Sequence, residues 1–135
     1  MKPVIQKIVV AGVLINDNKV LIIQRAENDS FPGLWEIPSG GREPLEKTTE
    51  GVKREVKEET GLDVEVDSPV GVFDFTNERE DAIRDATQIS FLVKPVGKLE
   101  VKLSNEHQAF AWVTKEELDN YNLSPETKQI ILKAF

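Results

Sequence analysis

The sequence has no cysteine among its 135 residues, which excludes disulfides and thiolate metal ligands outright. It has one histidine, His107, so a multi-histidine zinc site within one chain is excluded as well. No apolar run approaches the ~20 residues of a membrane-spanning helix. The N-terminus lacks a basic segment followed by an apolar stretch, so no signal peptide is expected and the expected compartment is the cytoplasm. Positive charge is also short: 17 Lys and Arg against 24 Asp and Glu give a net charge of −7. A field of that sign repels polymeric nucleic acid, whose binding depends on Lys and Arg neutralising phosphates.

What remains is an ordinary composition for a globular protein, 39% hydrophobic and 30% charged. The length fits one domain over residues 1–135 that buries a core without covalent staples. There is no internal repeat and no low-complexity tract.

Two short runs rich in Val and Ile, Ile8 to Ile15 and Val20 to Ile23, read as strands joined by a hairpin turn at Asn16–Lys19. Pro32, Gly33, Pro38, Gly40 and Gly41 crowd the segment around Trp35 and signal irregular backbone. From about Leu45 to Thr60 the chain is polar and helix-compatible, with Gly61 as a left-handed cap. Val64 to Phe75 suggests extended structure, and Asn77 to Asp85 a charged connecting loop. Thr87–Val93 and Ala109–Val113 are further strands. Thr114 with Glu117 reads as a capping box opening a short helix, and Ser124-Pro125 opens a last one running to about Lys133. This order implies an α/β protein with a mixed sheet flanked by helices.

The informative stretch is Gly40 to Leu62. Residues three and four apart share a helix face, so Glu55, Glu58 and Glu59 fall within an arc of roughly 100°. Such like-charge pairs repel, and near a helix C-terminus the macrodipole disfavours negative charge further. The arrangement makes sense if a cation compensates it; the alternative is a plain solvated acidic face. All-oxygen ligands favour Mg²⁺, Mn²⁺ or Ca²⁺, and Mg²⁺ is the commonest partner of substrate phosphates. A bound divalent cation would also let an acidic chain accept a phosphate-bearing substrate, by inverting the field inside one cleft. Gly51, one turn before Glu55, costs about 1 kcal/mol relative to Ala in a helix. It reads either as room for a close approach or as a tolerated surface glycine. Arg54 stands four residues after Glu50, within reach of a surface ion pair.

The stretch resembles the Nudix box. Gly40, Glu46, Arg54, Glu55, Val56, Glu58, Glu59, Gly61 and Leu62 fill every specified position of that motif. The two N-terminal strands, the run Trp35 to Gly41, and Trp112-Val113 before a short helix also resemble the family. The likeness covers nearly the whole chain. It implies a Nudix-type α/β/α sandwich with a mixed β-sheet. It also implies metal-dependent hydrolysis of a phosphoanhydride in a nucleoside diphosphate derivative, with Mg²⁺ or Mn²⁺ as cofactor. Glu55, Glu58 and Glu59 would ligate metal, one of them also serving the attacking water, and the Ser39 carbonyl would add a ligand. Glu46 and Arg54 would brace the loop against the helix. Two departures are noted: Ser39 stands where many members have Gly, and Gly51-Val52 where Ala is frequent.

Outside the box, the resemblance points to Glu106 as a further ligand or general base and to Arg25 as a phosphate contact. The alternatives are a plain loop glutamate and a surface arginine paired with Glu27. His107 reads as an exposed loop residue. Trp35 and Phe75 read as core or rim packing, with base stacking as the alternative. The first expected substrate is a nucleoside triphosphate, oxidised or otherwise noncanonical ones included, cleaved to monophosphate and pyrophosphate. ADP-ribose or another nucleotide sugar is the second. Against ADP-ribose, the region Thr76 to Arg79 lacks the proline that some such members carry. A non-catalytic nucleotide sensor would have lost box glutamates, and a prenyl diphosphate isomerase would need a cysteine. Family habit suggests a homodimer, with no interface legible.

Overall fold

The two N-terminal apolar runs form β1 (Val4–Asn16) and β2 (Lys19–Arg25) of the computed structural model, which describes residues 1–29 and 31–135. Between them Asp17 and Asn18 sit at φ 53° and 66°. These are the two left-handed positions of a tight hairpin turn, which Asp and Asn tolerate. The hairpin holds only Ile15 opposite Val20 and Asn16 opposite Lys19. Beyond those pairs the two strands part company.

β1 runs parallel to β6 (Ile83–Val96), from Val4 opposite Ile83 to Leu14 opposite Val93. β6 in turn pairs antiparallel with β5 (Asp63–Glu78). β2 pairs antiparallel with β3 (Trp35–Glu36) and β7 (His107–Val113). β4 (Ser39–Gly41) lies antiparallel on β1 at Val9 to Ala11. The result is a mixed seven-stranded sheet in two diverging halves, with β3 and β4 spanning the divergence.

Continuous hydrophobicity in β1 has a plain cause: both of its faces are covered. Val10 and Leu14 pack on one side with Val52 and Val56 of α1 (Thr48–Thr60). Ala11 and Val13 pack on the other, with Leu118 of a 3₁₀ helix (Lys115–Asn120) and Ile130 and Ile131 of α2 (Pro125–Ala134). Helix, sheet and helix make the expected α/β/α sandwich. Among the described residues, no helix is long and apolar enough to cross a membrane.

The helix ends follow local chemistry. Gly61, at φ 76°, caps α1 by donating its N–H to the Lys57 carbonyl. Thr114 and Glu117 form the anticipated capping box. The Ser124 side chain accepts from the Thr127 N–H ahead of Pro125.

Two expectations need correction. Asn77 to Asp85 is not a loop: β5 runs to Glu78 and β6 starts at Ile83. Asn77 pairs with Arg84 and Glu78 with Ile83, so the hairpin extends almost to its tip. Charged side chains are tolerated there because this part of the sheet projects beyond the helices into water. The helix, likewise, starts at Thr48 rather than near Leu45. Leu45 is exposed and takes a left-handed φ of 65°, which ends the preceding turn instead of opening a helix.

α1 approaches β1 closely because Gly12 has no side chain. A Cβ at Gly12 would stand 2.9 Å from Val56 Cγ2 and 3.3 Å from Val52 Cγ1. Gly12→Ala is therefore expected to destabilise the protein by about 1–3 kcal/mol through overpacking. Urea denaturation of the two proteins measures this, and an unchanged midpoint would mean that the helix shifts freely.

Candidate active site

The site begins where α1 buries more than its apolar residues. Val52 and Val56 point into the core, and the same face carries Glu55 and Glu59 down with them, while Glu58 stays exposed. Opposite them lies β4. Glu59 Oε1 accepts the Ser39 N–H at 2.9 Å. A Cβ on Gly40 would fall on the Glu55 carboxylate and displace it. Glycine at position 51 has a similar cause: a Cβ would stand 2.9 Å from Glu46 Oε1 and 3.2 Å from Val10 Cγ2.

Arg54 ties the loop before the helix to the carboxylates. Its Nε and Nη2 donate to Glu46 at 2.8 and 3.0 Å, and Nη2 donates to the Gly41 carbonyl at 2.9 Å. Its Nη1 meets Glu55 Oε1 at 2.8 Å and Glu58 Oε2 at 3.3 Å. Hydrogen bonds from the Arg54 side chain and the Glu43 backbone hold the Glu46 carboxyl down at about 2. The Arg54 guanidinium itself is stabilised as a cation, chiefly by its bonds to Glu46. Its ion pair with Glu50 does not form; Glu50 pairs with Lys53.

Three further residues reach the site from the other half-sheet. Glu36, on β3, accepts from Arg25 Nη2 at 3.0 Å and meets His107 Nε2 at 2.8 Å. Arg25 also bonds Asp29 at 2.8 Å and sits 5.6 Å over the Phe31 ring. It is half-buried and does not pair with Glu27, which accepts from Gln108 instead. Burial works to lower the Arg25 pKa, but Glu36 and Asp29 outweigh it and the net shift is upward. His107 departs from the expectation of an exposed loop residue. It begins β7 and is 6% exposed, and its Nδ1 has no hydrogen-bond partner among the described residues.

Glu36 is the residue that sequence reasoning missed. A signal was there: Trp35 and Ile37 both pack inward, and alternation sends the residue between them to the opposite side. Trp35 itself is packing, edge-on to Tyr121 with ring centroids 5.0 Å apart.

The electrostatics of the cluster are unfavourable as it stands. Burial, and then repulsion from Glu36, Glu55 and Glu106, pushes the Glu59 carboxyl up to about 9 despite its bond from Ser39. Burial also raises Glu55, against the pull of Arg54. Among the described residues no three His, Asp or Glu side chains are grouped to hold a metal ion directly; Arg54 occupies the space between Glu55 and Glu58. The donor chemistry nevertheless fits a hard divalent cation. The oxygens are carboxylate, the glycine cradle at position 40 keeps the space beside Glu55 clear, and the local excess of negative charge is uncompensated. Glu55, Glu58 and Glu59, with Ser39 beside them, are the residues that would hold it.

A cleft of about 670 Å³ opens beside this cluster. Glu36, Ser39, Gly40, Glu106 and Arg25 line one end, and Phe31 and Phe75 present their rings to it.

Two outcomes are expected. Glu59 has a folded pKa of about 9 against the ordinary 4.5. Ionising it in the fold is costly, so the penalty on stability is absent below pH 4.5 and grows as pH rises toward 9. Without metal, Glu59→Gln should therefore melt increasingly above the parent protein between pH 5 and pH 8 in EDTA. A gap independent of pH would contradict that ionisation. Gly40→Ala should displace the Glu55 carboxylate and weaken Mn²⁺ binding by about tenfold or more, as read by calorimetry.

The comparisons with known proteins agree with this fold. A family model described as the NUDIX domain matches residues 6–134. The chain is 39% identical over 117 residues to a MutT-like protein of Streptomyces ambofaciens, covering 86% of this chain and 69% of that protein. It is 31% identical over 134 residues to the nucleoside triphosphatase NudI of Escherichia coli K12, covering 93% of this chain and 94% of that one. Among solved structures, a MutT protein from Methanosarcina mazei superposes with a TM-score of 0.80 at 31% identity, covering 98% of this chain and 94% of that one.

Proposed function

The chain belongs to the NUDIX family of hydrolases acting on nucleoside diphosphate derivatives, and from that premise we propose that its substrate is a nucleoside triphosphate, cleaved with a divalent metal ion, Mg²⁺ or Mn²⁺, to monophosphate and pyrophosphate. The observation that carries the reading is the mutually repelling set Glu36, Glu55, Glu59 and Glu106, with Glu36 and Glu106 lining a nucleotide-sized cleft and the buried Glu55 and Glu59 against its Gly40 and Ser39. Similarity over nearly full length to a protein named as a nucleoside triphosphatase supports the choice of substrate class.

Glu55, Glu58 and Glu59 hold the cation, with Ser39 completing the set. When bound, the cation supplies charge neutralisation at the phosphate oxygens and a more acidic water. Arg54 keeps the carboxylates in place through its bonds to Glu46, Glu55 and the Gly41 carbonyl. Glu106 lines the cleft, and its carboxylate has no partner among the described residues. It is the group best placed to take a proton from the attacking water, ahead of Glu58 and Glu59, which are engaged. Arg25 is already paired with Asp29 and Glu36, so its contribution at a phosphate is smaller than that of an unpaired arginine. No covalent nucleophile is needed; placement and electrostatics carry the step.

The test is a panel of triphosphates, oxidised triphosphates, ADP-ribose, nucleotide sugars and dinucleoside polyphosphates, each with Mg²⁺, Mn²⁺ or EDTA, with products separated by chromatography. Triphosphates should be cleaved to monophosphate and pyrophosphate only with metal. Glu58→Gln with Glu59→Gln should reduce the rate by about 10²-fold or more. Preference for ADP-ribose would move the substrate to the nucleotide-sugar class, and tight nucleotide binding without turnover would make the protein a sensor.

A further inference from the structure

The cleft is sorted by charge along its length. Glu36 and Glu106 lie at the end beside Ser39, whereas Lys7, Arg79 and Arg84 lie at the other. Strand register fixes the separation. Ser39 is opposite Ala11, Lys7 is opposite Ala86, and Arg84 is opposite Ile5. Lys7 and Ile5 stand four and six residues along β1 from Ala11, about 13 and 20 Å at 3.3 Å per residue.

These cations differ from several others in the chain. Arg25, Arg54, Lys2, Lys94 and Lys128 are each paired with a carboxylate. Lys7 and Arg84 have no side-chain partner among the described residues, and Arg79 bonds only through its backbone. In a chain of net charge −7, unpaired cations collected on one cleft wall leave donors open to a ligand. Between them the register row Lys7–Ala86–Phe75 makes a floor. Ala86 is small and buried, and the Phe75 ring is 37% exposed beside it. Gln88, one row nearer the carboxylates, is 7% exposed, and its Nε2 donates to Ser90 Oγ at 3.2 Å. That bond leaves Oε1, with one Nε2–H, free for a ligand.

We propose that this end of the cleft reads the nucleobase and selects bases with an exocyclic oxygen beside a ring N–H, namely guanine, uracil and thymine, over adenine and cytosine. The inference rests on the nucleotide reading above, which puts the phosphates at the carboxylates and points the base the other way. A base lying over Ala86 stacks on Phe75, a contact that every base makes equally well. Discrimination then falls to the edge. Lys and Arg side chains donate hydrogen bonds and accept none. An exocyclic oxygen accepts from them; an exocyclic amino group sets donor against donor. Each of the selected bases also carries a ring N–H beside that oxygen, which Gln88 Oε1 is free to accept.

The experiment compares kcat/KM for GTP, UTP and TTP with that for ATP and CTP, using the full chain with Mg²⁺ or Mn²⁺. The parent protein should favour GTP, UTP and TTP by about tenfold or more. Arg84→Gln and Lys7→Gln, singly and together, should collapse that ratio chiefly through KM. A loss of folding would lower both classes alike and leave the ratio standing. Equal turnover of both classes by the parent protein would overturn the proposal, as would variants that fold, by circular dichroism, and keep the preference. Stronger turnover of nucleotides bearing a further phosphate, without regard to base, would overturn it too and make the cations an anion subsite. If no nucleotide is turned over, the hydrolase assignment fails by itself. The base preference is then read from the Kd values of the same five triphosphates, and equal values sink it.

Discussion

Val52 and Val56 cannot be buried without burying Glu55 and Glu59. On one helix the four residues occupy one face, and the glycine at position 12 lets that face sink against β1. The hydrophobic contact thus brings two carboxylates into a place where ionisation is unfavourable, a few ångströms from β4. The features around it answer that burden. Ser39 offers an N–H to Glu59, Arg54 offers a guanidinium to Glu55, and Gly40 withholds a side chain that would collide with it. What these leave uncompensated is the charge that a divalent cation fits.

The two half-sheets contribute opposite kinds of order. The half built on β1, β5 and β6 supplies a long, flat, open floor with cations at its far end. The half built on β2, β3 and β7 supplies a stiff polar brace in which His107 holds Glu36 and Glu36 holds Arg25. An overall charge of −7 therefore says little about the cleft itself. The distribution matters more than the sum, because the acidic and basic walls are drawn from different strands.

Much of the layout was legible before any coordinates. The helix, its glycine cap, the capping box and the Ser-Pro helix start are local signals, fixed by residues a few positions apart. The metal-ligand candidates were legible for the same reason: Glu55, Glu58 and Glu59 share one short helix. Other features were not, because they depend on pairings distant in sequence. The parallel alignment of β1 with β6 cannot be read from either strand alone. The end of the β5–β6 hairpin, Asn77 to Asp85, reads as a loop because it is as polar as a loop would be. Glu36 and His107 are 71 residues apart and meet only when β3 and β7 flank β2. Nor did Lys7 and Arg84 stand out, since a cation becomes conspicuous only when its neighbours in space fail to pair with it.

The parallel β1–β6 pairing also bears on how the molecule comes into being. β1 leaves the ribosome ahead of α1, yet the seat of α1 is completed by Val93 of β6, whose Cγ2 borders the position-12 gap at 3.4 Å. The whole acidic helix is therefore synthesised before its landing site exists. Contacts that close so long a loop are slow to form. During that interval the glutamates remain hydrated. The nascent chain thus passes its most polar helix through a stage of harmless exposure, and the electrostatic strain of the finished site arises only when the last strands arrive.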